Sequence, residues 1–200
     1  QMLKRVREEC DKVNPEAVLL VEGCGDIGRE FADGFVAHSH FWSDNTFQEP
    51  MVRFLHPDMR AYESWGYVPR NGSNEDLKRW FLWNCVQGYR VYAHNASREV
   101  MAEASRKVRR YYDSFPEICD SPMSLLTPRA ENGFAQLFDG PPQVVTVGNP
   151  SSSSVECSLT VPVSASALFD RVTGQEIPIL NGAAKISMQP WEYRAFELRP

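Results

Sequence analysis

The chain has 200 residues, 42% hydrophobic, 12% aromatic and 24% charged, with a formal net charge of −5. This is a globular composition with no apolar run long enough to span a bilayer and no basic field of the kind that holds nucleic acid, so neither a membrane nor a nucleic-acid partner is expected. Five cysteines (Cys10, Cys24, Cys85, Cys119 and Cys157) are scattered without a CxxC pair or metal-ligand spacing, which excludes a disulfide framework.

Residues 1–13 (QMLKRVREECDKV) place Leu3, Val6 and Cys10 at helical spacing with charges between them, the pattern of an amphipathic helix. There is no capping residue and no signal-peptide pattern before it, so the chain opens in mid-helix and is expected to be the carboxyl-terminal part of something longer. Its compartment is left undecided, cytoplasmic and secreted both being open. Asn14-Pro15 breaks the helix, and five apolar residues, Ala17 to Val21, then predict a short strand buried on both faces, as in a parallel sheet covered by helices. Glu22 follows that strand at once. A carboxylate at the carboxyl end of a buried parallel strand is where α/β barrels and doubly wound sheets keep their chemistry. The loop after it, Gly23-Cys24-Gly25-Asp26-Ile27-Gly28, lacks the GxGxxG spacing and the long helix that a phosphate cradle requires.

Residues 34–70 are irregular, with strand-like stretches at 35–38 and 51–55 and many polar and aromatic side chains around them. Long loops in a compact domain usually serve a site. Ser73 and Asp76 form a capping box that predicts a helix from there to about His94, burying Leu77, Trp80, Phe81 and Val91. Ser97 predicts the cap of a second helix reaching Ser114, with Val108 and Tyr111 on its apolar face. From Asp120 onward, proline, glycine and serine become frequent and period-two strands replace helices: 134–138, 143–147, 155–161, 167–170, 184–188 and 192–198, separated by turns such as Asn181-Gly182. These predict a small antiparallel β-sandwich.

Two closing passages are the most specific. Leu168-Phe169-Asp170-Arg171-Val172-Thr173-Gly174-Gln175-Glu176-Ile177-Pro178 reads as a hairpin and its return, and Ile186 to Leu198 (ISMQPWEYRAFEL) reads as the final strand pair. Together they resemble the carboxyl-terminal β-sandwich of many (β/α)8-barrel glycoside hydrolases. The upstream strand ending in Glu, the aromatic-rich loops and the two helices are similar to the last third of such a barrel.

The resemblance implies an α/β part followed by an all-β part: residues 1–119 as the carboxyl-terminal portion of a catalytic TIM-type barrel and 120–200 as the antiparallel β-sandwich. It implies hydrolysis of O-glycosidic bonds in an oligosaccharide or polysaccharide, without a cofactor, with the amino-terminal part of the same barrel as the missing partner. Glu22 matches a strand-end catalytic carboxylate, acting as general acid/base or nucleophile, and Asp26 is the nearest second acid. Such a pair stands about 5–5.5 Å apart in retaining enzymes and roughly 6.5–9.5 Å apart in inverting ones. Trp42 and Trp65 suit stacking on pyranose rings, and His38, His40, Asp44 and Arg53 suit hydroxyl contacts. Two rival readings stand beside this one. One is a non-catalytic carbohydrate-binding or structural module. The other is a metal-dependent hydrolase in which His38 and His40, on one face of a strand at i and i+2, bind an ion with Asp44; no other ligand cluster supports it.

Overall fold

The computed structural model describes residues 2–22, 30–37, 53, 60–65, 73–93 and 98–200. The opening helix α1 (Met2–Val13) forms as its periodicity predicts, yet it buries no residue, and Met2, Val6 and Val13 on its apolar stripe are exposed. It is tied down by Arg7, whose guanidinium reaches Asp33 at 2.9 Å and the Ala17 carbonyl at 2.9 Å. Asp33 also accepts the Leu19 amide at 2.7 Å, so one carboxylate joins helix, strand entry and the connection beyond.

Four strands, β1 (Leu20–Glu22), β2 (Gly34–Ala37), β3 (Arg60–Trp65) and β4 (Arg90–Ala93), form a parallel sheet in chain order. The predicted strand at 17–21 is corrected in two respects. It is shorter, starting at Leu20, and it is not buried on both faces: Val18 and Leu20 are 55% and 38% exposed. The physical reason is its place, since β1 is an edge strand with no partner on its outer side among the described residues.

Helix α2 (Asn74–Val86) starts with the expected capping box, Ser73 Oγ accepting the Asp76 amide at 3.1 Å and the Asp76 carboxylate accepting the Ser73 amide at 3.0 Å. It ends eight residues short of His94. Gly88 takes a left-handed backbone (φ +76°), which ends the helix, and a Cβ there would overlap the Ile118 carbonyl. Val91 meets the expected apolar core all the same, from strand β4 rather than from a helix. The expected strand at 51–55 is also corrected: Arg53, its one described residue, is helical. Helix α3 (Arg98–Ser114) forms as expected, followed by a single turn, α4 (Glu117–Asp120); Ser97 lies outside the described residues.

The remaining chain builds two antiparallel sheets. One is ordered β10 (Glu176–Pro178), β9 (Ala167–Phe169), β12 (Tyr193–Arg199), β7 (Val144–Gly148), β6 (Phe134–Phe138); the other is β11 (Ala183–Met188), β8 (Val155–Thr160), β5 (Arg129–Glu131). The six predicted strands are present, and the short β5 and β10 join them. Between the sheets lies a core of Leu137, Val145, Val147, Leu159, Ile186 and Phe196.

The larger sheet is covered on its other face too. Val144, Tyr193 and Ala195 share a core with Leu82, Val86, Val108 and Phe115 of the helical part. Strand β7 is therefore buried along its whole length. Thr146, facing the helices, satisfies its hydroxyl on the Val86 carbonyl at 2.7 Å. At Gly148 the sheet comes so close to α2 that a Cβ would stand 2.8 Å from Leu82 Cγ and 2.9 Å from Val86 Cγ2. Gly148→Ala is expected to lower stability by about 1–3 kcal/mol through overpacking. Urea unfolding should show a lower midpoint with unchanged slope; an unchanged midpoint would mean that this helix–sheet contact is looser than described.

Candidate functional site

The parallel sheet brings its strand ends to one edge: Glu22 closes β1, Ala37 closes β2 immediately before His38, Trp65 closes β3 and Ala93 closes β4. Glu22, Val36, Tyr62 and Arg90 occupy one register row. Strand residues alternate between faces, which divides the sheet into two sets. Val21, Phe35 and Val91 belong to the alternate set; they pack with Tyr89 and Ala32, and Val91 continues into the core beneath α2 and α3. The row of Glu22, Val36, Tyr62 and Arg90 is the other set. On that row the Arg90 guanidinium stands 3.4 Å from the Tyr62 hydroxyl and 3.6 Å from the Asp120 carboxylate.

Of the expected contact residues, Asp26, His38, His40, Trp42 and Asp44 lie outside the described residues, and so does the His38/His40 metal reading. Among the described residues no group of three or more His, Cys, Asp or Glu side chains is placed to hold a metal ion. Trp65, expected in a loop, is the last residue of β3 and belongs by register to the set of Val91 and Phe35.

Arg53 is buried, 1% exposed, and donates to the carbonyls of Ile118 (3.0 Å), Cys119 (3.2 Å) and Ser121 (3.4 Å). Its guanidinium also stands 5.9 Å over the Phe138 ring, and burial draws its pKa down. Every hydrogen bond it makes among the described residues thus goes to main chain around α4, in place of the sugar hydroxyl expected from the sequence. A guanidinium offers five donors in a planar fork, which suits it to gathering the otherwise open carbonyls at the end of a short helix.

A second cluster was not expected. Asp170, fully buried, accepts the Arg194 guanidinium at 2.7 and 3.1 Å and the Tyr111 hydroxyl at 3.1 Å on one oxygen; on the other it accepts the amides of Val172 (2.9 Å) and Thr173 (3.1 Å). Arg194 donates further to Gln175 at 2.9 Å. Burial and the facing carboxylate push the Tyr111 phenol well above its ordinary pKa, so it stays a donor. Beside it, Arg171 joins Glu117 and Glu197 at 3.0 and 2.9 Å and lies 4.7 Å over the Phe115 ring. The groups are mutually satisfied, so this cluster holds structure rather than offering a reactive group. The signal in the sequence was the hairpin itself: an Asp closing a strand, two residues before backbone amides it caps as an Asx turn, with Gly174 at φ +71° completing the bend. The described buried thiols are likewise inert: burial raises Cys85 and Cys119 and pushes Cys157 up to about 11.

No family model matches the sequence, and no curated protein matches it. In fold, the chain is similar to glycoside hydrolases. Against the α-amylase of Anoxybacillus the TM-score is 0.63 at 12% identity, over 99% of this chain and 56% of that one. Against the α-amylase of Geobacillus thermoleovorans, solved with acarbose, it is 0.64 at 11%, over 99% and 57%. Against a GH30 endoxylanase of Clostridium papyrosolvens it is 0.55 at 13%, over 100% and 60%. At these identities the likeness is one of fold, and the chain spans a little over half the length of those structures. The resemblance to glycoside hydrolases expected from the sequence is borne out at that level.

Arg194→Met would leave the buried Asp170 charge without its ion partner, a loss of about 3–5 kcal/mol for broken buried pairs. Denaturant unfolding should report that loss, and pairing the change with Asp170→Asn should cost less than the sum of the two. Strict additivity would show that the two side chains do not act as a pair.

Proposed function

We propose that this chain is part of a (β/α)8-barrel glycoside hydrolase, with residues 1–119 contributing the last βα units of the catalytic barrel and 120–200 its β-sandwich, and that Glu22 is a catalytic carboxylate. The observation that carries the reading is the order of the parallel sheet, β1 to β4 in sequence. Sequential order without a reversal is the winding of a barrel rather than of a doubly wound sheet, whose strand order turns back at a switch point. In a barrel, strand residues alternate between the helix layer and the interior, and a catalytic Glu22 requires its row to face the interior.

Among the described residues, the unpaired edge of β1 and the uncovered stripe of α1 fit the same reading. Both are surfaces that a preceding βα unit would cover, one by main-chain hydrogen bonds and the other by apolar packing. The partner is therefore the amino-terminal remainder of the same barrel. Glu22 would serve as general acid/base or nucleophile on a glycosidic bond, with the second carboxylate supplied by Asp26 or by another strand end. The side chains of the loops after β1 and β2, His38, His40, Trp42 and Asp44 among them, would line the sugar subsite. Likeness to both amylases and a xylanase leaves the sugar to experiment.

In the full-length protein, Glu22→Gln should lower kcat by orders of magnitude, roughly 10²–10⁴-fold for a general acid or base, with unfolding midpoint unchanged. Wild-type turnover in that variant on every oligosaccharide tested would remove Glu22 from the chemistry. Glycan binding without hydrolysis by the wild type would favour the non-catalytic reading.

A further inference from the structure

We propose that the crevice between α2, α3 and the turn joining β11 to β12 is a second, non-catalytic carbohydrate site, taking one pyranose ring of a glycan chain against the indole of Trp191. The ligand class rests on the glycosidase reading; the site itself rests on local geometry far along the chain from Glu22.

The crevice has a volume of about 270 Å³. Pockets for drug-sized ligands run from roughly 300 to 1,000 Å³, so this one is on the scale of a single ring. Phe81, Leu82 and Ala104 give it an apolar floor, and Lys78, Glu103 and Lys107 line it with Trp191.

Trp191 sits in the left-handed region at φ +57°, which a bulky side chain adopts only when its surroundings hold it there. They do. The Trp191 amide donates to Ser151 at 3.2 Å, the Glu192 amide to Gln189 at 3.2 Å, and the Glu192 carboxylate accepts the Gln189 amide at 2.6 Å. Fully buried Asn149 clamps the same turn, donating to the carbonyls of Gln189 and Ser153 at 2.8 Å each. The outcome of this clamped, unfavourable backbone is an indole left half-buried at the crevice while the next apolar residue, Tyr193, enters the core.

The polar groups suit hydroxyls. The Lys78 ammonium stands 5.9 Å from the Trp191 ring centroid, the outer limit of a cation–π contact, and has no acidic partner among the described residues. Glu103 and Lys107 pair at 2.9 Å with both side chains mostly in water, so a donor and an acceptor stand together at the rim. A pyranose presents an apolar C–H face to an aromatic plane and a ring of hydroxyls to its sides. Indole wall, apolar floor, ammonium and exposed carboxylate match those two requirements.

The test is electrophoresis of the full-length protein through native gels containing starch, xylan or galactomannan, with hydrolysis of short oligosaccharides measured in parallel. Wild type and Glu22→Gln should both be retarded by at least one polysaccharide. Trp191→Ala should lose about tenfold in affinity, the loss typical of an aromatic anchor, and keep wild-type hydrolysis of short substrates. Trp191→Tyr should retain most of the retardation, and Lys78→Met, which leaves the turn intact, should weaken it. Undiminished retardation of both Trp191→Ala and Lys78→Met, or no retardation of wild type by any of the three, overturns the proposal. Failure of the glycosidase reading shows separately, as unchanged hydrolysis in Glu22→Gln.

Discussion

The buried pairing of Asp170 with Arg194 is the interaction on which the arrangement of this molecule depends. It joins the turn after β9 to the central strand β12, and through Tyr111 it fastens both to the last long helix of the preceding part. Charges taken out of water at such a depth are stable only when every lone pair and proton is met. Here two backbone amides, a guanidinium, a phenol and an amide oxygen meet them. A mispositioned helix α3 would strand one of these groups, so the cluster selects one docking of helix on sheet where apolar packing by itself would accept several.

Around that cluster the same logic repeats with weaker groups. Arg171 spans Glu117 and Glu197, Thr146 caps the end of α2, and Arg53 gathers the carbonyls around α4. Each is a polar tether running from the α/β part to the β-sandwich or its entry. Between them lies a continuous apolar layer from Leu77 to Ala195. The parallel strands consequently have a fixed base.

Much of this was legible beforehand, and the reasons differ by element. The capping box at Ser73 and the period-two strands from residue 134 onward are local signals, and local signals survive folding. The run from Leu77 to Val91 misled because helical spacing passes through Gly88 without interruption; the left-handed turn there is a backbone property that apolar periodicity does not register. Strands β3 and β4 read poorly for a related reason. RAYESW and RVYA are short and mixed in polarity, and they become strands through pairing with neighbours distant in sequence. Glu22 was legible as a strand-end acid, while its row was not, because register is set between strands and not within one. Asp170 stood inside a recognised hairpin motif, but its partners Tyr111 and Arg194 lie 59 and 24 residues away. Trp191 stood inside the closing motif, but its positive φ was not legible, because it comes from the hydrogen bond to Ser151 and from the turn clamped by Asn149.

Strand β7, buried along its whole length, has a consequence for how such proteins are assembled over evolutionary time. A sheet with one wet face is portable, since it can be cut from one gene and joined to another with only a linker to adjust. The larger sheet here has no wet face over its centre: Val145 and Val147 are claimed by the opposing sheet, and Val144 and Gly148 by the helices. Recombination between residues 119 and 120 would expose Phe138, Val144 and Tyr193 to solvent unless the incoming partner matched their contour. The two halves are therefore expected to be inherited together and to drift in step, with compensating changes across the layer from Leu82 to Gly148.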